Sequence, residues 1–235
     1  MRKSVFERIL SLVFVEKCAM CRKPCDGALC EECEKKLKPL TSFCCERCGK
    51  PLGSCVCKKL NKNFQRCVSA FGFEDKVVTA LIYKLKHRGS ERVARLLSLY
   101  LARKVKKEYG DIDFRYVTYV PQARRDTKRK GFDHAHLLAR ELSEKLSIDI
   151  MCPPIKRKRG GKQRLQDYMG RSKNAAKKYA LIPHHNISGN VLLVDDVMTS
   201  GNTLLVCSQL LKAAGADNVY CATAATAVKN VHLEK

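Results

Sequence analysis

The stretch NVLLVDDVMTSGNTL, residues 190–204, holds the residues best suited to chemistry. Val191 to Val194 form an apolar run that reads as a buried parallel strand, and Asp195 and Asp196 fall at its carboxyl end. In an open α/β sheet, ligands bind in the crevice above the strand ends. Thr199, Ser200 and Thr203 add hydroxyl groups, and Gly201 permits a tight turn with close backbone approach. Loop amides running into a helix that starts near Asn202 favour a phosphate dianion. The paired carboxylates suit sugar hydroxyls, or Mg²⁺ held through water. A phosphate grip beside two hydroxyl acceptors describes a ribose 5-phosphate site. The rival reading is a helix-cap loop with incidental acids. It needs the apolar run, the paired Asp and the T-S-G-x-T sequence to coincide without purpose.

A second constellation lies near the start of the chain. Ten of the fourteen cysteines fall between Cys18 and Cys57. CAMC (Cys18, Cys21) and CEEC (Cys30, Cys33) form one set, and CERC (Cys45, Cys48) with CVC (Cys55, Cys57) forms another. A pair of thiols two residues apart can place both sulfurs on one tetrahedral ion. Four thiolates close the coordination sphere, which points to structural zinc, two ions in all. A module of about sixty residues with few large apolar side chains needs that metal to fold. Cys25 and Cys44 are alternative ligands, and the spacing also permits crossed pairing of the four pairs. A disulfide framework is the competing reading, disfavoured by the lack of a secretory signal.

The elements that position these residues follow from periodicity. MRKSVFERILSLVFVEKC is interrupted by Glu7 and Arg8 and lacks a cleavage site, so it reads as a short amphipathic helix presenting Val5, Ile9, Leu12 and Val13. No apolar stretch is long enough to span a bilayer, and a cytoplasmic location is expected. The cysteine module is expected over residues 1–60 and a second domain over 61–235. In the second domain RCVSAFGF, YVTYVP, IDIMCPPIK, NVLLVDDV and NVYCATAATAV read as strands. Helices are predicted over roughly 76–87 and 91–108, then in FDHAHLLARELSEKL and TLLVCSQLLKAAGA. Apolar strands alternating with helices define an α/β fold, a parallel sheet covered on both faces.

Charge supplies the third clue. Forty-six Lys and Arg against 23 Asp and Glu leave a formal net charge of +23, which implies a polyanionic ligand. Residues 122–131 carry a net +4 and residues 156–178 a net +9, so two segments predicted to be loops hold thirteen of the surplus charges. One small phosphate ester needs only a few of them. The remainder suits a surface that tracks single-stranded DNA, with Tyr168 and Tyr179 as candidates for base stacking, against the plain alternative of a solvated lysine face. His134, His136, His184 and His185 show no ligand spacing and are assigned no catalytic role. Cys152, Cys207 and Cys221 lie in apolar runs and read as packed thiols.

The 190–204 stretch closely resembles the phosphoribosyl pyrophosphate (PRPP) signature of type I phosphoribosyltransferases. With the double cysteine ribbon ahead of it, the chain resembles the ComF family of competence-associated phosphoribosyltransferase-like proteins. Val120, Pro121, Gly131 and Phe132 match that family's Val-Pro and Arg-Gly-Phe-Asn-Gln patterns, with Lys130, Asp133 and His134 as departures. Gln163, Arg171 and Asn174 match its later pattern. The resemblance implies catalytic roles for Asp195 and Asp196, both at the ribose hydroxyls with Mg²⁺ nearby. It implies a PRPP-binding run of Val197, Met198, Thr199, Ser200, Gly201, Asn202 and Thr203. Pyrophosphate would meet Pro121, Arg124, Arg125, Lys130 and Gly131. Residues 156–174, with Gln163, Arg171 and Asn174, would form a mobile loop. The implied reaction is displacement of pyrophosphate from PRPP by a nitrogen nucleophile. The family also implies DNA handling, with single-stranded DNA and the DNA-uptake helicase machinery as partners. A non-catalytic DNA-binding protein that keeps the PRPP-binding fold is the alternative.

Overall fold

A computed structural model describes residues 16–40, 44–57, 64–158, 178–183 and 185–228. The expected N-terminal helix, Tyr168, His184, and the Gln163, Arg171 and Asn174 set lie outside the described residues, as does the boundary at residues 60–61.

Strands β1 (Cys67–Gly72), β2 (Phe114–Tyr119), β5 (Asn190–Met198) and β6 (Asn218–Thr226) form one parallel sheet in the order β1-β6-β5-β2. Strand β5 is its pivot. Val191, Leu192, Leu193 and Val194 are all fully buried, and successive side chains point to opposite faces. Leu192 and Val194 pack with helices α2 (Lys76–Arg88), α3 (Glu91–Tyr109) and α5 (His134–Leu146). Val191 and Leu193 pack with α6 (Asn202–Ala213). Burial on both faces explains why this run is continuously apolar rather than alternating.

Two expectations are corrected here. IDIMCPPIK does not make a sheet strand. Ile150 forms a single parallel bridge to Val117, and only Ile155–Arg157 (β3) is extended, pairing antiparallel with Tyr179–Leu181 (β4). Pro153 and Pro154 supply no N–H to a ladder and separate the two pieces. The basic run after Pro121 is a helix, α4 (Arg124–Lys130), rather than a loop.

The cysteine module contains α1 (Glu31–Glu34) and a 3₁₀ turn at Leu52–Ser54. It is tied to the sheet through the backbone. Leu40 N donates to Ala70 O at 2.8 Å, and Cys67 N donates to Arg47 O at 2.8 Å. Gly49, at φ +66°, sits so close that a Cβ would lie 2.3 Å from Cys67 O. Any larger residue there would push the second knuckle off β1.

Candidate functional site

The four sulfurs of Cys18, Cys21, Cys30 and Cys33 lie within 4.8 Å of one another, and so do those of Cys45, Cys48, Cys55 and Cys57. The sets are thus sequential, not crossed, and Cys25 and Cys44 belong to neither. Sulfur separations of 3.6 Å (Cys21–Cys30), 3.5 Å (Cys45–Cys57) and 3.8 Å (Cys48–Cys55) match the roughly 3.8 Å edge of a tetrahedron with 2.3 Å Zn–S bonds. No disulfide joins cysteines among the described residues. Burial pushes the Cys18 thiol up, but backbone amides aimed at its sulfur outweigh this and bring it down to about 6. Cys45 is brought down to about 7 in the same way, largely by the Cys48 and Arg47 amides. In each set the backbone amides thus favour the thiolate form at one sulfur, the form in which a cysteine binds zinc.

The second site opens at the carboxyl end of β5. Tyr119 is the last β2 residue paired with β5, opposite Val194, and Val120 N makes one further bond to Val194 O. Pro121 then turns the chain away. Beyond Val194 the strand keeps only its β6 neighbour, with Asp195 opposite Thr223 and Met198 opposite Thr226. The gap left by β2 is a cavity of about 440 Å³. It is bounded by Val120, Pro121 and Gln122, by Lys86 and His134, by Asp195 and Asp196, by Ser200, Asn202 and Thr203, and by Arg157, Lys178 and Tyr179. This is the switch point of an α/β sheet.

Asp75, Ser90 and Asp133 cap α2, α3 and α5 through their side chains, whereas α6 starts at Gly201 without a side-chain cap. Gly201 holds φ +78°, a left-handed conformation that favours glycine. No backbone amide from Thr199 to Leu204 donates to an acceptor among the described residues. A row of free amides at a helix start is a receptor for an anion.

The two acids have opposite environments. Asp196 Oδ2 lies 3.0 Å from Lys86 Nζ and 3.0 Å from His134 Nε2, with only 6% of its side chain exposed. Burial pushes the Asp196 carboxyl up, but His134 and Lys86 outweigh it and hold it below the usual carboxylate range. For Asp195, burial and the adjacent Asp196 charge push the carboxyl well above that range, against smaller pulls from the Asp196 backbone amide and from Lys86. Its Oδ1 accepts the Asp196 amide at 2.9 Å. The acids suit a diol. A directly ligated divalent cation does not fit at Asp196 Oδ2, where an ammonium already sits. Mg²⁺ fits through water at Asp195 and the oxygens of a bound phosphate ester.

Of the residues singled out from sequence, Asp195, Asp196, Ser200, Asn202, Thr203 and Pro121 border the cavity. Met198 does not: it is buried in the core, and its carbonyl accepts from Ala227 N and Thr226 Oγ1. Thr199 is exposed, Val197 is half-buried, and neither borders the cavity. Arg124 and Arg125 are exposed on α4, and Gly131 ends that helix at φ +79°. Lys130 Nζ turns away to Lys86 O at 2.8 Å. Asp133 is not among the residues that border the cavity. Its carboxylate accepts from Ala135 N, His136 N, Gln122 N and Gln122 Nε2, so four donors occupy it. Tyr179 is buried under Arg157 and cannot stack a base without moving. Cys207 and Cys221 are packed as expected, whereas Cys152 is exposed.

Lys86, Gln122 and His134 escaped the sequence reading. Lys86 closes the last turn of α2 in an ordinary run of basic residues. The one signal for His134 was its place in the pattern where the resembling family carries Gln.

Comparison with known proteins agrees with this geometry. Residues 9–68 match the double zinc ribbon domain and residues 128–232 the phosphoribosyl transferase domain. The chain is 28% identical over 202 residues to Competence protein F of Haemophilus influenzae, covering 82% of this chain and 88% of that one. Glutamine PRPP amidotransferase from B. subtilis is similar at TM-score 0.40 and 17% identity, over 61% of this chain and 30% of that longer one. A purine phosphoribosyltransferase from Pyrococcus horikoshii is similar at TM-score 0.36 and 20% identity, over 55% and 71% of the two chains. Residues 128–232 thus match a phosphoribosyl transferase domain, and they follow a match to a double zinc ribbon that holds two four-cysteine clusters. No described helix is long and apolar enough to cross a membrane.

Proposed function

We propose that the crevice above β5 binds PRPP with Mg²⁺, and that the protein transfers the phosphoribosyl group to a nitrogen nucleophile and releases pyrophosphate. In this reading residues 1–60 form the zinc ribbon module and residues 61–235 the transferase-like domain. The observation that carries the proposal is the set of unbonded amides between Thr199 and Leu204, of which Ser200, Asn202 and Thr203 line the same cavity as the two adjacent carboxylates. The amides, with Ser200 and Thr203, take the 5-phosphate. The acidic end of β5 faces the ribose 2- and 3-hydroxyls. The nucleophile forms its bond to C1 as the bond to the pyrophosphate oxygen breaks, and positive charge grows on the ring as in glycoside cleavage. Asp195 and Asp196 lie on the side where that charge is stabilised. Mg²⁺, when bound, neutralises the departing pyrophosphate. Arg157 and Lys178 border the cavity with no ion-pair partner among the described residues, and they complement the same anion. The likeness to Competence protein F supports a role in competence; in this reading that role is in DNA uptake and is exercised in the cytoplasm.

The test is pyrophosphate release from PRPP across a broad panel of bases and amines, with Asp195→Asn/Asp196→Asn as control. Release that the double variant abolishes is expected. A second reading has its own support. Arg124, Arg125 and Lys128 are exposed on one short helix beside the crevice, and Arg129 pairs only with Asp126 of that helix. A protein that keeps PRPP as an effector and binds single-stranded DNA would bind PRPP, release no pyrophosphate, and show DNA affinity that falls steeply with salt.

A further inference from the structure

We propose that the two neighbouring acids do different work: Asp195 is the group that meets the sugar diol, while Lys86 and His134 are positioning residues that hold Asp196 as a fixed anion behind it. This rests on the PRPP-binding reading above and assigns the parts within it.

Geometry separates the acids. Lys86 Nζ and His134 Nε2 both lie 3.0 Å from Asp196 Oδ2 as ion-pair contacts, not aligned hydrogen bonds, and together they crowd that buried oxygen against a ligand. Asp195 has no ion-pair partner among the described residues, and its Oδ2 takes no donor there although the residue borders the cavity. The brace around Asp196 joins three segments that enclose the site. Lys86 comes from the last turn of α2, and its own carbonyl accepts Lys130 Nζ at 2.8 Å. His134 comes from the first turn of α5, beside the Asp133 carboxylate that also clamps Gln122 of the turn after β2. Fixing Asp196 therefore fixes where α2, α5 and the Pro121 turn stand relative to β5. A functional group held by such supports keeps its geometry when ligand arrives.

His134 needs only to present an N–H to Asp196. Glutamine can do this and leucine cannot. The test is calorimetric titration of PRPP with Mg²⁺ into the full-length zinc-loaded protein and its variants, with thermal midpoint and zinc content checked for each. His134→Gln is expected to keep the dissociation constant within about threefold, and His134→Leu and Lys86→Met to weaken it by about tenfold or more, the effect of losing roughly 1.4 kcal/mol. His134→Leu combined with Asp196→Asn is expected to cost no more than Asp196→Asn alone, whereas its effect multiplies that of Asp195→Asn. If His134→Leu does not fold, Lys86→Met takes its place in both combinations. Wild-type affinity in both apolar variants, or a multiplied effect with Asp196→Asn, would overturn the division of roles. A wild-type protein that binds no PRPP would instead overturn the proposed function, and this assignment with it.

Discussion

Neutralising the two adjacent acids one at a time is predicted to move stability in opposite directions. Asp195 is desolvated and lies beside a second carboxylate, so the folded state binds its proton more tightly than the unfolded chain does. A carboxyl raised in this way costs nothing at pH values where both states are protonated. The cost appears as pH rises above the ordinary carboxylate range, near 3.8, and is complete above the folded-state value. At pH 7, Asp195→Asn removes a carboxyl that the folded state ionises less readily than the unfolded chain does. A gain of about 1–2 kcal/mol is expected, which is roughly 2–8 °C in thermal midpoint for a chain of this size. Asp196 is the reverse case. Its carboxyl is held low, so its contribution is present above the ordinary range and is lost as pH falls through the folded-state value. Asp196→Asn leaves Lys86 and His134 facing a neutral amide and is expected to lose about 1–3 kcal/mol. The assay is thermal unfolding of the zinc-loaded single variants between pH 5 and 8. The gap between Asp195→Asn and wild type should widen with pH. If both variants shift the midpoint the same way, the opposed environments inferred for the pair are wrong.

Other outcomes follow from the remaining geometry. Metal analysis should find two zinc ions per chain, unchanged by Cys25→Ser or Cys44→Ser and reduced to one by Cys21→Ser or Cys48→Ser. Because Cys67 N and Ala70 O are bonded to the ribbon, stripping zinc with a chelator should also lower the unfolding temperature of the transferase-like domain, read by near-ultraviolet circular dichroism. Gly201→Ala forces a side chain into left-handed backbone at a cost of about 1–2 kcal/mol, and titration should show weaker PRPP binding. Arg157→Ala with Lys178→Ala should weaken pyrophosphate binding more at low salt than at high salt, measured by calorimetry.

Fold and site were legible to different depths. The paired acids, the glycine turn ahead of α6 and the two four-cysteine clusters could be read because each uses a short contiguous pattern: an apolar run ending in Asp195 and Asp196, a glycine before a helix, and pairs of closely spaced thiols. Helices α2 and α3 were bounded to within a residue because Asp75 and Ser90 cap them and Gly89 stops the first. What failed to show was chemistry assembled across the chain. Lys86 meets Asp196 from 110 positions away, and neither periodicity nor spacing connects them. His134 looked isolated because its partner is a carboxylate on another element rather than a second ligand nearby. The misread strand at residues 148–156 carried strand-like residues, but the two prolines within it outweighed their propensity. The helix at residues 124–130 was read as a loop because a fully polar helix has no apolar stripe to reveal it.

The most direct test is a crystal structure of the zinc-loaded protein soaked with PRPP and Mg²⁺. The account predicts the 5-phosphate within about 2.7–3.2 Å of backbone amides between Thr199 and Leu204, with the ribose hydroxyls on Asp195. An empty crevice at saturating ligand, or a phosphate lodged elsewhere while those amides stay bare, would contradict it.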